Sequence, residues 1–144
     1  MGRILALDYG RKRVGVAVSD PLEITANGLE TLDVKNVRDF IRSFLEKEEV
    51  DCLVIGYPKQ MNNLPSEASQ YVDGFLKWFN REYPDLKVEK VDERFTSRMA
   101  QKAMIDGGVK KSDRQNKYLV DKVSAVLILQ SYLDSKKHSS YKTE

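Results

Sequence analysis

A chain of 144 residues, 41% hydrophobic and 32% charged, can bury one core of ordinary size. No apolar run reaches the roughly 18 residues of a membrane span, and the single cysteine, Cys52, excludes an internal disulfide and a cysteine-built zinc cage. A net charge of +2 conceals an uneven distribution: +3 over residues 1–19, −7 over 20–93, +5 over 94–117 and +1 over 118–144.

In chain order, residues 3–9 and 13–19 are two apolar runs joined by a short basic turn, which predicts a hairpin. Residues 24–32 read as a third strand, with Asn27-Gly28 as a bend or bulge. Asp33 is placed to cap a helix over 34–48, where Val34, Val37, Phe40, Ile41, Phe44 and Leu45 recur at helical spacing. Residues 51–57 read as a buried central strand that includes Cys52. A loop with two prolines follows. Ser66 is a candidate cap for a helix that carries Val72, Phe75, Leu76 and Phe79 on one face, with Trp78 in the core or on the surface, and Pro84 stops it. Residues 86–92 form a fifth strand. Thr96 opens a helix to about Ile105, closed by Gly107-Gly108. Residues 109–116 read as a polar loop, 116–135 as a last helix, and 137–144 as a disordered tail that holds the chain's one histidine, His138. The order β-β-β-α-β-α-β-α-α predicts an α/β domain over 1–136, a mixed sheet with helices on both faces. The N-terminus lacks a signal-peptide pattern, since Asp8 breaks its apolar stretch, and a cytoplasmic location is expected.

Three acids stand at the edges of apolar structure. Asp8 ends the first strand, on the face of Ile4 and Ala6; Glu93 ends the fifth; Asp121 lies on one helical stripe with Ala125, Ile128 and Tyr132. A buried carboxylate without a partner costs several kcal/mol, roughly, so each acid needs a cation or solvent. Each can be read alone as an ordinary cap or ion pair: Asp8 with Arg11 or Arg13, Glu93 with Arg94 or Arg98. Together they can converge if strands one and four are adjacent, strand five lies beyond four, and the last helix crosses over. Three oxygen donors without His or Cys suit Mg²⁺ or Mn²⁺ and the chemistry of phosphodiester cleavage. Gly10 would then admit a phosphate, and Arg11, Lys12 and Arg13 would hold a nucleic-acid backbone. The second basic block supplies Arg94, Arg98, Lys110, Lys111 and Arg114, which are alternatively a solvated face. Tyr57 is a candidate to stack on an unpaired base, or simply packs. Thr96 is a cap or a substrate-facing hydroxyl.

LALDYGRKRVGVAVSDP, VIGYP with Met61, VDERFTS and YLVDKVSAVLILQSYL also resemble, in order and over about residues 3–134, the YqgF family. That family is described as a pre-16S rRNA nuclease and earlier as a Holliday junction resolvase. The resemblance implies a ribonuclease H-like fold, Asp8, Glu93 and Asp121 as the acidic metal-binding set, and a cytoplasmic role in ribosome maturation. Three departures stand out: Tyr57 where the family has Leu, NNLPS after Met61 where it has an Asp-Gly-Ser turn, and Ser124-Ala125 where it has two alanines. The favoured reading is a metal-dependent endonuclease acting on pre-rRNA, with the ribosomal particle as a partner and the chain a monomer or weak homodimer. A junction resolvase acting on branched DNA would need a dimer spacing two sites. A non-catalytic nucleic-acid-binding module would bind with steep salt dependence and without metal. An actin-like ATPase would need a second domain that 144 residues do not supply.

Overall fold

The computed structural model describes residues 2–58, 67–92 and 96–142. Five strands form one sheet in the order β3-β2-β1-β4-β5: β1 Arg3–Tyr9, β2 Arg13–Ser19, β3 Ala26–Asp33, β4 Val50–Tyr57 and β5 Lys87–Asp92. The first three form an antiparallel meander, and β1, β4 and β5 run parallel, so the sheet is mixed as the element order predicts. The central strands are apolar because both their faces are covered; Ile4 to Leu7 and Leu53 to Ile55 are fully buried. A register shift between Val16 and Ala17 sets β2 against β3 with Leu29 as the extra residue, beside the predicted Asn27-Gly28 site.

One face carries α1, Val37–Lys47, and α2, Glu67–Glu82. Leu5, Leu7, Val14, Val16, Leu53 and Ile55 meet Ile41, Val72, Phe75 and Phe79 there, and Trp78 is buried with them. The other face is covered by α5, Lys117–Lys142, through Ala125, Ile128, Leu129 and Leu133 packed on Ile4, Ala6, Ala17, Cys52 and Val54. Next to α5 lie α3, Thr96–Asp106, and a single turn, α4, Lys111–Arg114. Gly108, at φ +79°, ends α3: the Gly107, Gly108 and Val109 amides donate back to Ala103, Ile105 and Met104.

Three expectations change. A 3₁₀ turn over Val34–Asn36 precedes α1, and Asp33 makes no side-chain capping bond there, because its Oδ1 accepts the Tyr118 hydroxyl instead. The predicted polar loop after Gly108 contains α4, where the Asp113 and Arg114 amides both donate to the Lys110 carbonyl. The last helix does not end at 135: α5 continues to Lys142, over most of the segment read as a tail. Ser66 lies outside the described residues, so its capping role is not placed.

Candidate active site

The carboxyl ends of β1, β4 and β5 lie along one edge. Leu7 is level with Ile55 and Ile55 with Lys90, so Asp8 follows at the next step, and Tyr57 is level with Asp92 where β4 and β5 finish. Asp8 is half-buried and engaged with its surroundings. It continues the row of Ile4 and Ala6, which face α5.

Asp8 pairs across the antiparallel ladder with Gly15, on the neighbouring strand. A Cβ at Gly15 would overlap the Asp121 carbonyl group, so the backbone of α5 rests directly on this glycine. Gly15 and Ala17 belong to the same face, and paired residues project their side chains on the same side of a sheet. The missing side chain at Gly15 therefore lets the backbone at Asp121 rest on the residue paired with Asp8. Gly28 repeats the device one strand out: its Cβ would meet Lys122 Cγ at 3.1 Å and Val126 Cγ2 at 3.2 Å. Sequence reading does not single out either glycine for this role. The one available signal is a glycine inside an apolar strand, VGVAV.

Asp121 Oδ2 accepts a hydrogen bond from Arg13 Nε at 2.8 Å, an ion pair only about a quarter exposed on either side. Charge-assisted and partly desolvated, it is a stronger contact than the surface pairs of the molecule. The Arg13 guanidinium also lies 5.7 Å from the centroid of the Tyr118 ring. Tyr118 is held from two more directions: its hydroxyl donates to Asp33 at 3.0 Å, and its carbonyl accepts from the Thr31 hydroxyl. Donation to Asp33 raises the Tyr118 pKa and keeps the phenol protonated. The Arg13–Tyr118–Asp33 cluster is absent from the sequence reading because Tyr118 lies 85 residues from Asp33 and still farther from Arg13.

The other candidates fall into separate groups. Gly10 closes the β1–β2 turn by donating its amide to the Arg13 carbonyl at 2.9 Å, and Arg11 and Lys12 project into solvent beside it. Lys110 and Lys111 are exposed on and beside α4, and Arg114 is partly buried. Tyr57 lies on the opposite side of the sheet from α5: its hydroxyl donates to both Asp73 carboxylate oxygens at 3.0 and 3.1 Å, and Lys90 Nζ caps its ring at 4.5 Å. Glu93 and Arg94 lie outside the described residues, as do the side chains of Thr96 and Arg98. The buried Cys52 thiol donates to the Leu53 carbonyl, and burial pushes its pKa up, which fits a core residue.

Among the described residues no three His, Cys, Asp or Glu side chains gather into a metal cage. Asp8 and Asp121 supply carboxylate oxygen from one face of the sheet edge, the donor type a hard divalent cation takes. The donors fit such an ion, with Arg13 already holding one of the Asp121 oxygens.

A mixed sheet of this order, three antiparallel strands followed by parallel ones and sandwiched between helices, is a ribonuclease H-like fold. The solved structure of RuvC from T. thermophilus in complex with a Holliday junction substrate matches it with a TM-score of 0.57, over 93% of this chain and 97% of that one. At 13% identity the likeness is one of fold. The model of the RuvX family, described as Holliday junction resolvase, matches residues 2–135, and the chain belongs to that family. A relative from Phocaeicola vulgatus, named "Putative pre-16S rRNA nuclease", is 56% identical over 96% of this chain and 99% of its own. Relatives of the same name from Bacteroides fragilis and Flavobacterium johnsoniae are 51% and 49% identical over 95% of this chain and 99% of theirs.

Proposed function

We propose that this chain is a divalent-metal-dependent endonuclease that hydrolyses phosphodiester bonds of structured RNA, processing the 5′ end of pre-16S rRNA in the cytoplasm with the ribosomal particle as partner. The observation that carries this reading is the approach of α5 onto Gly15, which rests the backbone at Asp121 on the residue paired with Asp8. The names of relatives about half identical to this chain over nearly its whole length give the substrate.

Asp8, Glu93 and Asp121 would hold Mg²⁺ or Mn²⁺. When bound, such an ion supplies Lewis-acid stabilisation of the charge that builds up on the phosphate during hydrolysis. Arg13 orients Asp121 through the bond at 2.8 Å and neutralises part of its charge. Arg11 and Lys12, exposed on the turn that follows Asp8, reach for backbone phosphates on one side. Lys110 and Lys111 do the same from α4, with Arg94, Thr96, Arg98 and Arg114 as further candidates.

The family description favours a second reading, a Holliday junction resolvase. It uses the same acids but needs a homodimer that spaces two sites. Cleavage of a labelled rRNA-precursor 5′ leader and of a labelled four-way DNA junction, in Mn²⁺, Mg²⁺ or EDTA, tests both. The proposal expects metal-dependent cutting of the leader, abolished in Asp8→Asn while the variant stays folded. Cutting of the junction alone selects the second reading. An Asp8→Asn protein that still cuts overturns the role given to the acids.

A further inference from the structure

Between β3 and the start of α5 runs a groove of about 480 Å³ that shares Tyr118 with the Arg13–Asp121 cluster. Its walls carry more acid than a phosphate site does: Glu30 and Asp113 line it and would repel a phosphodiester, against one lysine in the lining, Lys122. Leu29 and Tyr118 border it as well, and both are large hydrophobic side chains left 40% and 49% exposed. The exposed Lys110 and Lys111 lie in the chain between Val109 and Asp113, two residues of the lining. Apolar and aromatic walls, acids able to accept from amino groups, and cations at the rim suit a base with its phosphates outside.

Tyr118 is fixed in place. Its amide donates to Asn116 Oδ1 at 3.0 Å as part of the α5 N-cap, its carbonyl is held by Thr31, and its hydroxyl by Asp33. A half-exposed ring tied at backbone and hydroxyl loses little conformational freedom when another ring lies against it. Among the described residues Tyr118 is outside both apolar clusters of the sheet.

We propose that this groove seats an unpaired nucleotide of the substrate, its base stacked against Tyr118, next to the site of cleavage. The inference rests on the nuclease reading and adds to it a requirement for a single-stranded segment beside the bond that is cut. Tyr118 acts as a binding residue, and Leu29 forms part of the same apolar lining.

The test is fluorescence anisotropy in EDTA, so that no cleavage intervenes, with a short single-stranded RNA and a blunt RNA duplex as probes. Stacking of one base is worth roughly 1–3 kcal/mol, so Tyr118→Ala is expected to weaken single-strand binding by about 5- to 150-fold. Duplex binding is expected to stay unchanged. Tyr118→Phe, which keeps the ring and loses the bond to Asp33, is expected to retain most of the affinity. Leu29→Ser, an independent change in the same lining, is expected to weaken the single strand as well. Equal binding of the single strand by wild type and Tyr118→Ala, or equal losses on single strand and duplex, overturns the inference. A loss in Tyr118→Phe as large as in Tyr118→Ala overturns the stacking role. Wild-type protein that cuts neither leader nor junction in metal, while the two probes still separate the variants, overturns the nuclease reading and leaves the groove assignment standing.

Discussion

On the α1–α2 face of the sheet, rings fill the space. Phase-filling bulk is supplied by Phe75, whose centroid lies 4.9 Å from that of Tyr9, 5.7 Å from Trp78 and 6.0 Å from Phe79. On the α5 face Ile4, Ile128, Leu129 and Leu133 also give bulk, but around Gly15 the strand residues are small, Ala6, Gly15 and Ala17, and the helix answers with Ala125. Bulky side chains hold a helix away from a sheet and tolerate small shifts by repacking; small residues let backbone approach backbone and leave little slack. The thick face supplies cohesion. The thin face fixes where one helical residue, Asp121, sits relative to one strand residue, Asp8. Both proposed ligands that the structure describes are on the thin face.

The two faces should therefore fail differently. Phe75→Ala removes a buried ring and is expected to cost about 3–5 kcal/mol of stability. Denaturant unfolding reads that loss, and the folded fraction should keep its cleavage rate per molecule. Gly15→Ala adds one methyl group that overlaps the Asp121 carbonyl. It is expected to cost only about 1–3 kcal/mol, as overpacking does, yet to remove most of the cleavage activity, because α5 must move away from Asp8. Equal specific activity in Gly15→Ala and wild type would break the comparison. Ser124 sharpens it from the side of stability. Its Oγ is buried without a hydrogen-bond partner among the described residues, at one of the positions where the sequence departs from the family's paired alanines. Ser124→Ala is expected to raise stability by about 1 kcal/mol by removing an unsatisfied hydroxyl, with activity unchanged; a lower unfolding midpoint would show that the hydroxyl has a partner.

Much of this was legible because it is local. The hairpin, the buried central strand, the α5 stripe of Asp121, Ala125 and Ile128, and the Gly107-Gly108 stop each follow from neighbours a few residues apart. The element order gives a mixed sheet, but the adjacency of β1 and β4 enters the sequence reading only as a condition, since sequential strands usually lie close and β4 leaves β3 to pair with β1. What was not legible depends on distant partners. Asp33 has the chemistry of a helix cap, but Tyr118, 85 residues away, takes its carboxylate. Arg13 could be paired with Asp8 on spacing alone, whereas its bond to Asp121 spans 108 residues. Gly15 reads as a weak spot in a strand until the helix that rests on it is known. The continuation of α5 past residue 135 has a different cause: KKHSS carries little apolar signal, and helical propensity alone did not distinguish it from a solvated tail.

The proposed site requires Asp8 and Asp121 to act together across Gly15. Single-turnover cleavage of the rRNA leader by Asp8→Asn, Asp121→Asn and the double variant, each first shown to be folded, tests it most directly. Groups that act as a unit are strongly non-additive. The account predicts that each single change abolishes nearly all activity and that the double variant is no slower than either. Losses that multiply, or an Asp121→Asn protein with wild-type rate, would contradict it.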